Sequence, residues 1–331
     1  MPAATVGQMD VLVTGGAGFI GSHLAAALVG AGHGTRILDD LTTGCAENVP
    51  AGARFIEGDV ADAAAVAGAI DGVEVVFHLA AHRAVAQSVE RPLSTDTANT
   101  HGTLTVLKAA VDAGARRVIS SSSSSVYGGA EVMPTPETEP TWPRSPYAVT
   151  KLAGEHYCRV FSELFALETV SLRYFNVFGP RQRPDSAYAA VIPRFLDALR
   201  GGRPPTVHGD GRQSRAFVYV DDAVAANLAA AAAPSAACKG QAYNVGGRRS
   251  VDLLGLLEIM GGITGVEPRP VHTEARPGDI RHSSADISAA ARELGWLPQV
   301  SLEEGLRRTL EWMSAPAAAS TSEPAVARRG T

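Results

Sequence analysis

Gly15-Gly-Ala-Gly18-Phe-Ile-Gly21 directly follows a short apolar run, Asp10-Val-Leu-Val-Thr14, and opens a helical stretch over 21–30. A glycine-rich turn alone reports only a tight bend. Between a strand and a helix it means more. Glycines there let the backbone turn sharply and come close to a pyrophosphate. The helix N-terminus adds unpaired N–H groups and the positive end of a dipole. Asp39 ends the next apolar run, 18 residues beyond Gly21. A carboxylate at that place accepts ribose hydroxyls and repels a 2′-phosphate, which favours NAD over NADP. The plain alternative for Asp39 is an ordinary loop carboxylate.

The rhythm that begins with this turn continues. Short apolar runs recur at 35–38, 53–56, 73–78, 117–119 and 169–174, and helical stretches at 61–70 and 100–113 separate several of them. The strands are too apolar to alternate, as expected when both faces of a sheet are covered. The pattern predicts an α/β fold, a doubly wound parallel sheet of the Rossmann kind. After Tyr174 the rhythm breaks into loops at 179–184 and 201–205. Helices follow at 253–262 and 302–313, with a loop around Arg276-Pro-Gly-Asp279. This predicts a dinucleotide-binding domain over 9–175 and 213–250. A smaller, mixed α/β substrate domain is expected over 176–212 and 251–313. Residues 314–331 have no apolar period and read as a disordered tail.

Tyr147 and Lys151 are four apart, so a helix places them on one face. Lys151 is one of three lysines in a chain that otherwise uses arginine. Lysine, unlike arginine, can have its pKa moved. An ammonium beside a phenol favours the phenolate and makes a usable base. Taken alone, the pair is better explained as an accident on a solvated helix. Upstream, residues 120–125 are six consecutive serines. Such a run usually marks a flexible linker, but this one sits inside the α/β pattern, where a strand's carboxyl end points hydroxyls at the ligand crevice.

Several motifs in order carry a resemblance: Val13–Gly21, Gly58-Asp-Val60, Phe77-His-Leu-Ala-Ala81, the serine run to Val126-Tyr-Gly128, Tyr147 with Lys151, and Arg173-Tyr-Phe-Asn176. Arg215-Ala-Phe-Val-Tyr-Val-Asp-Asp222 and Arg276-Pro-Gly-Asp279 complete the set. Over about residues 10–313 the chain resembles the extended short-chain dehydrogenase/reductase family, and within it the UDP-glucose/UDP-N-acetylglucosamine 4-epimerases. The resemblance implies NAD as cofactor. It places Gly15, Gly18, Phe19, Ile20, Gly21, Asp39, Asp40 and Thr43 at the cofactor, and Asp59 and Val60 at its adenine. Leu79, Ala80, Ala81, Arg83, Asn99, Ser121 and Tyr174 would complete the cofactor site. Ser123, Tyr147 and Lys151 become the catalytic residues. Tyr147 would take the proton of the sugar 4-hydroxyl while hydride passes to NAD and returns to the opposite face. Lys151 would lower the pKa of Tyr147 and hold the nicotinamide ribose.

The same resemblance assigns a sugar-nucleotide grip. Arg215 and Arg276 match diphosphate-binding arginines, which suit bidentate phosphate contact. Asn176 matches a phosphate-contacting asparagine, Ala190 and Val191 a loop giving backbone contacts, and Thr206 and His208 the positions flanking the uracil. Ser124 and Asp279 are further substrate contacts. Relatives that eliminate water carry an Asp-Glu pair where this chain has Ser124 and Ser125, so a 4,6-dehydratase is disfavoured. Strict UDP-galactose epimerases have a bulky tyrosine at the position of Ser283, so a small residue there leaves room for an N-acetyl group. A UDP-glucuronate epimerase or another nucleotide-sugar reaction stays open, as does an NAD-binding regulator without turnover. Ala216 departs from the usual aspartate after Arg215 and loosens hydrogen bonding there.

Net charge of −5 and a pI near 6.0 give no general attraction to nucleic acid or to an anionic membrane. No apolar run reaches about 18 residues. With no secretory leader and three scattered cysteines, the expectation is a cytoplasmic enzyme with reduced thiols. The resemblance also suggests a homodimer through helices near 100–113 and 149–165.

Overall fold

The computed structural model describes residues 8–182, 190–275 and 280–315. Its centre is a sheet of seven parallel strands. In chain order these are β1 (Asp10–Thr14), β2 (Gly34–Asp39), β3 (Arg54–Glu57), β4 (Val75–His78), β5 (Arg117–Ser123), β6 (Glu168–Tyr174) and the strand Lys239–Val245. Their spatial order is Lys239–Val245, β6, β5, β4, β1, β2, β3. The chain therefore builds outward from β1, then returns to lay β4 on its other side. Helices cover both faces, among them α1 (Phe19–Gly30), α2 (Ala63–Ile70), the short α3 (Val85–Glu90) and α4 (Pro92–Asp96), α5 (Gly102–Asp112) and α6 (Pro146–Phe165).

Alternate strand residues feed two cores. Val11, Val13, Ile37, Val75, Phe77, Ile119, Val170 and Leu172 pack with α1 on one face. Leu12, Leu38, Val76, Val106 and Val118 form the other core, with Val66 of α2 and Phe161 of α6. That is why these strands read as continuous apolar runs. A third core joins Phe178, Phe195, Leu196, Val207, Tyr219, Leu256 and Leu306. Around it, Ser214–Ala216 pairs antiparallel with Ser250–Asp252 and parallel with His282–Ser283.

Two local readings change. β5 runs through Ser123, so four of the six serines are sheet residues, all paired with β6 and the first, Ser120, also with β4. Their small side chains fit a strand covered on both faces. The remaining two, Ser124 and Ser125, open a tight turn that ends at Tyr127. The helix expected at 100–113 begins instead in a π-type turn, Thr97–His101, continuous with α4 before and α5 after. Such wide turns often occur where a helix serves a site.

Candidate active site

A cleft opens at the carboxyl ends of the strands beside β1 and β4, where the strand order reverses. The glycine turn forms its floor. Gly15 has φ +69, and a Cβ there would lie 2.7 Å from the Ala80 amide nitrogen. A Cβ on Gly21 would overlap the Gly15 carbonyl oxygen. Only glycine lets this turn close on itself and on the segment after β4. The Ala17 amide donates to Asp39 Oδ2 at 3.0 Å and the Leu41 amide to Oδ1 at 2.9 Å. Burial raises the Asp39 pKa, and these two donors oppose it. Each carboxylate oxygen keeps a second lone pair for a hydroxyl donor.

Gly15, Gly18, Phe19, Ile20, Gly21, Asp39, Asp40, Thr43, Asp59, Val60, Leu79, Ala80, Ala81, Arg83, Ser121, Tyr147, Lys151 and Tyr174 all border this one cleft. Asn99 does not. It is 2% exposed, and its amide is fully engaged. Oδ1 accepts from the His82 amide at 2.7 Å, while Nδ2 donates to the His82 carbonyl and to Thr150 Oγ1, both at 3.0 Å. Asn99 therefore fixes the loop that carries Arg83 instead of offering a free donor to a ligand. The wall also includes His82, and Thr42, Cys45, Ser122 and Arg181, which sequence reasoning did not single out. Beneath it, His78 bridges Thr14 Oγ1 (2.8 Å) and Thr103 Oγ1 (2.9 Å). Burial, then the Lys151 charge, depress the His78 pKa to about 3, so this imidazole is neutral.

Tyr147 and Lys151 sit in the first turns of α6. Ser145 caps that helix by accepting from the Ala148 amide at 3.2 Å, and Pro146 occupies its first position. Tyr147 is 9% exposed. Burial raises its pKa, while a hydrogen bond with Ser123 and the Arg83 charge pull it down. Ser123 Oγ in turn accepts from Ser125 Oγ at 2.9 Å. Lys151 Nζ donates to the Ser121 carbonyl at 2.7 Å and to Ser121 Oγ at 3.1 Å. Burial depresses its pKa to about 8, against the influence of Cys158 and Glu155. In the protein alone, the cation that acts on the phenol is Arg83, and the ammonium is turned to the end of β5.

One turn beyond Lys151 lies Glu155, which continues the four-residue spacing of Tyr147 and Lys151. It forms a buried bidentate pair with Arg173, Nε to Oε1 at 2.9 Å and Nη2 to Oε2 at 2.7 Å. Ser122 Oγ donates to the same carboxylate at 2.5 Å. Arg173 Nη1 donates to the Tyr127 hydroxyl, which donates to Asn244 Oδ1, each at 2.8 Å. The network braces the serine end of β5 against α6, β6 and the strand Lys239–Val245. Extending the helical spacing by four would have found Glu155.

A second cavity adjoins the segment 176–182. Asn176, Ala190, Val191, Thr206, His208 and Arg215 line it, with Phe217 and Leu253 as apolar walls. Asn176 holds a left-handed backbone at φ +45. Thr206 and His208 lie on the short strand Thr206–His208, where His208 Nδ1 pairs with Thr273 Oγ1 at 2.8 Å. Arg215 Nη1 donates to the Ser214 carbonyl at 2.9 Å. Ala216 is buried. Ser283 is the register partner of Arg215 and is half-buried. Ser124 follows directly on β5. Arg276 and Asp279 lie outside the described residues, as does most of the loop before Ala190. Among the described residues there is no cluster that could hold a metal ion, and no helix long and apolar enough to cross a membrane.

The cleft suits a dinucleotide on its own geometry: a glycine cradle, an oriented acidic residue, and a buried arginine nitrogen, Nη1 of Arg181, without a partner among the described residues. The comparisons agree. The chain is 40% identical to a UDP-glucose 4-epimerase of Mycolicibacterium smegmatis over 312 residues, 92% of this chain and 98% of the relative. A UDP-N-acetylglucosamine 4-epimerase from Methanobrevibacter ruminantium, solved with UDP-N-acetylmuramic acid, superposes with a TM-score of 0.88 at 38% identity. It spans 93% of this chain and 99% of its own. A Thermus thermophilus UDP-glucose 4-epimerase in complex with NAD gives 0.84 at 35% identity, covering 93% and 100%. Residues 11–246 match the model of one family, and this chain belongs to it: the NAD dependent epimerase/dehydratase family.

Proposed function

We propose that the protein inverts C4 of a UDP-sugar through a transient 4-keto intermediate, acting on the UDP-glucose/UDP-galactose pair and on the N-acetylated pair. The carrying observation is the cluster at the end of β5. Tyr147 and the Ser123 hydroxyl are hydrogen-bonded there, and Ser125, not an acid, is the neighbour that donates to Ser123. Bound NAD supplies a hydride acceptor and donor. In this reading Tyr147 moves the proton of the 4-hydroxyl, Ser123 aligns that hydroxyl, and Lys151 orients the cofactor. Arg83 favours the phenolate. The two residues that follow Ser123 in the turn are Ser124 and Ser125, so no carboxylate is placed there to expel a second hydroxyl. Asn176, Arg215, Ala190, Val191, Thr206 and His208 would hold the nucleotide, with Arg276 and Asp279 contributing from outside the described residues. The proton relay accounts for roughly 10²–10⁴-fold, and positioning for much of the remainder.

The test is incubation with UDP-glucose, UDP-N-acetylglucosamine and UDP-glucuronate separately, followed by NMR of the products. C4 inversion of the first two without net NADH formation is expected. Inversion of UDP-glucuronate alone, or no inversion at all, would overturn the reading. The small Ser283 beside Arg215 supports the broader sugar range. Ser283→Tyr should suppress turnover of the N-acetylated sugar more than of UDP-glucose, and equal effects on both would remove the gate.

A homodimer forms part of the proposal. Val89, Leu93, Val149 and Leu164 are 65%, 83%, 52% and 71% exposed on α3, α4 and α6, and these helices lie side by side. An apolar surface of this kind favours a protein partner. Light scattering on the purified protein reads the mass directly.

A further inference from the structure

The segment after β6 carries a feature that the proposed reaction does not use. Arg181 has φ +65, a left-handed backbone that a branched or long side chain adopts only when its surroundings impose it. The segment is pinned on both sides. The Pro180 carbonyl pairs with His23 Nε2 at 3.0 Å, and Gln182 Nε2 donates to the Val177 carbonyl at 3.2 Å. His23 lies on α1, four residues after Phe19, and feels the Arg181 charge. Arg181 therefore stands beside the opening turns of the helix that follows the glycine turn.

Its side chain borders the cofactor cleft, whereas its neighbours Asn176 and Gln182 border the other cavity. Its Nη1 is buried and has no hydrogen-bond partner among the described residues. Burial lowers its pKa, and among the described residues no carboxylate offsets that. A buried guanidinium without a counter-ion is costly, and such groups are ordinarily paired. Other arginines here follow that rule: Arg173 has Glu155 and Arg117 has Glu168.

We propose that Arg181 is the counter-cation of the dinucleotide's pyrophosphate, sharing that anion with the backbone donors of the glycine turn. The inference rests on the NAD-dependent reading of this cleft and adds a residue to it. The planar guanidinium suits bidentate phosphate contact. Its place in the cofactor cleft selects the cofactor's diphosphate over that of the sugar nucleotide.

The test uses the purified holoenzyme. Bound NAD is quantified after denaturation, and its exchange for labelled NAD is timed in wild type, Arg181→Met and Arg181→Lys. UDP affinity is measured by calorimetry on the same samples. Losing one charge-assisted contact should speed NAD exchange by about 10- to 100-fold in Arg181→Met, with Arg181→Lys between it and wild type. UDP affinity should stay unchanged. Thermal unfolding of the cofactor-free Met variant should not fall, because a half-buried charge without a partner among the described residues has been removed. Equal NAD exchange in all three proteins overturns the proposal. So does a loss of UDP affinity with NAD exchange intact, which would move Arg181 to the sugar nucleotide. A wild-type protein that neither carries nor takes up NAD overturns the cofactor reading itself. If Arg181→Met fails to fold, Arg181→Lys with wild-type exchange still refutes the contact.

Discussion

Replacing Lys151 by methionine separates what the ammonium does for catalysis from what it does to the fold. Its pKa falls from 10.5 to about 8, chiefly because burial penalises the charge. At about 1.36 kcal/mol per pH unit, that gap corresponds to about 3 kcal/mol. Lys151 keeps some exposure to the cleft, so this is an upper bound. Methionine fills similar volume without charge, but leaves the Ser121 carbonyl and hydroxyl without their donor, at about 1 kcal/mol each. Below pH 8 the cofactor-free variant should thus be more stable than wild type by about 1 kcal/mol. The pH trend is the sharper measure. Between about 8 and 10.5 the unfolded chain holds a proton on Lys151 that the folded chain does not, so wild-type stability gains with rising pH. The variant lacks that gain. Urea unfolding followed by circular dichroism, on cofactor-free protein across this range, gives the difference between the two. Wild-type stability minus variant stability should rise by up to about 3 kcal/mol from pH 8 to 10.5. Other titrating groups cancel in the subtraction. A flat difference would refute the claim that Lys151 is held charged against its surroundings.

Tyr147→Phe should keep NAD bound and lose at least about 10²-fold in kcat. Turnover retained in a single-turnover assay would reassign the base. Glu155→Gln leaves Arg173 buried without its charge partner and should cost about 3–5 kcal/mol in urea unfolding. A loss under about 1 kcal/mol would show that the pair is dispensable. Arg83→Met removes a charge that favours the Tyr147 phenolate. Less phenolate then exists at any given pH, so the rising limb of kcat against pH should move to higher pH, and an unmoved limb would deny that role.

The fold was legible because its signals are local. The apolar runs around 11–13, 37–38 and 75–77 are strands buried on both faces, and the glycine turn marks the carboxyl edge where ligands sit. Many of the residues that border the cleft were legible for the same reason, because they follow on strand ends: Gly15 after β1, Asp39 and Asp40 at the end of β2, Asp59 and Val60 after β3, and Leu79, Ala80 and Ala81 after β4. What sequence reading missed depends on contacts between distant segments. The resemblance puts Asn99 at the cofactor, and in the protein alone its amide is engaged by His82 and Thr150, 17 and 51 residues away in the chain. Glu155 and Arg173 are 18 residues apart, and nothing local in either predicts a buried pair. Arg181 reads as a loop arginine until its backbone angle and its missing partner are known.

The tyrosine and lysine four residues apart began as a pair in which one tunes the other. The geometry supports a different arithmetic. Burial opposes charge on both: it raises Tyr147 and depresses Lys151. In the protein alone, then, the phenol is neutral at pH 7 and the ammonium is charged but strained. What draws Tyr147 toward the phenolate is the Ser123 hydroxyl and Arg83, and Arg83 is held in place by the loop that Asn99 anchors. A site built this way is a poor base when empty. In the proposed reaction, positive charge and hydroxyl donors that enter with the ligands would add to Ser123 and Arg83, so cofactor occupancy and base strength would be coupled by the burial itself. An open, solvated Tyr147 would be an indifferent base at all times. A buried one beside Arg83 would, in the proposed reaction, become an effective base only when the cleft is filled.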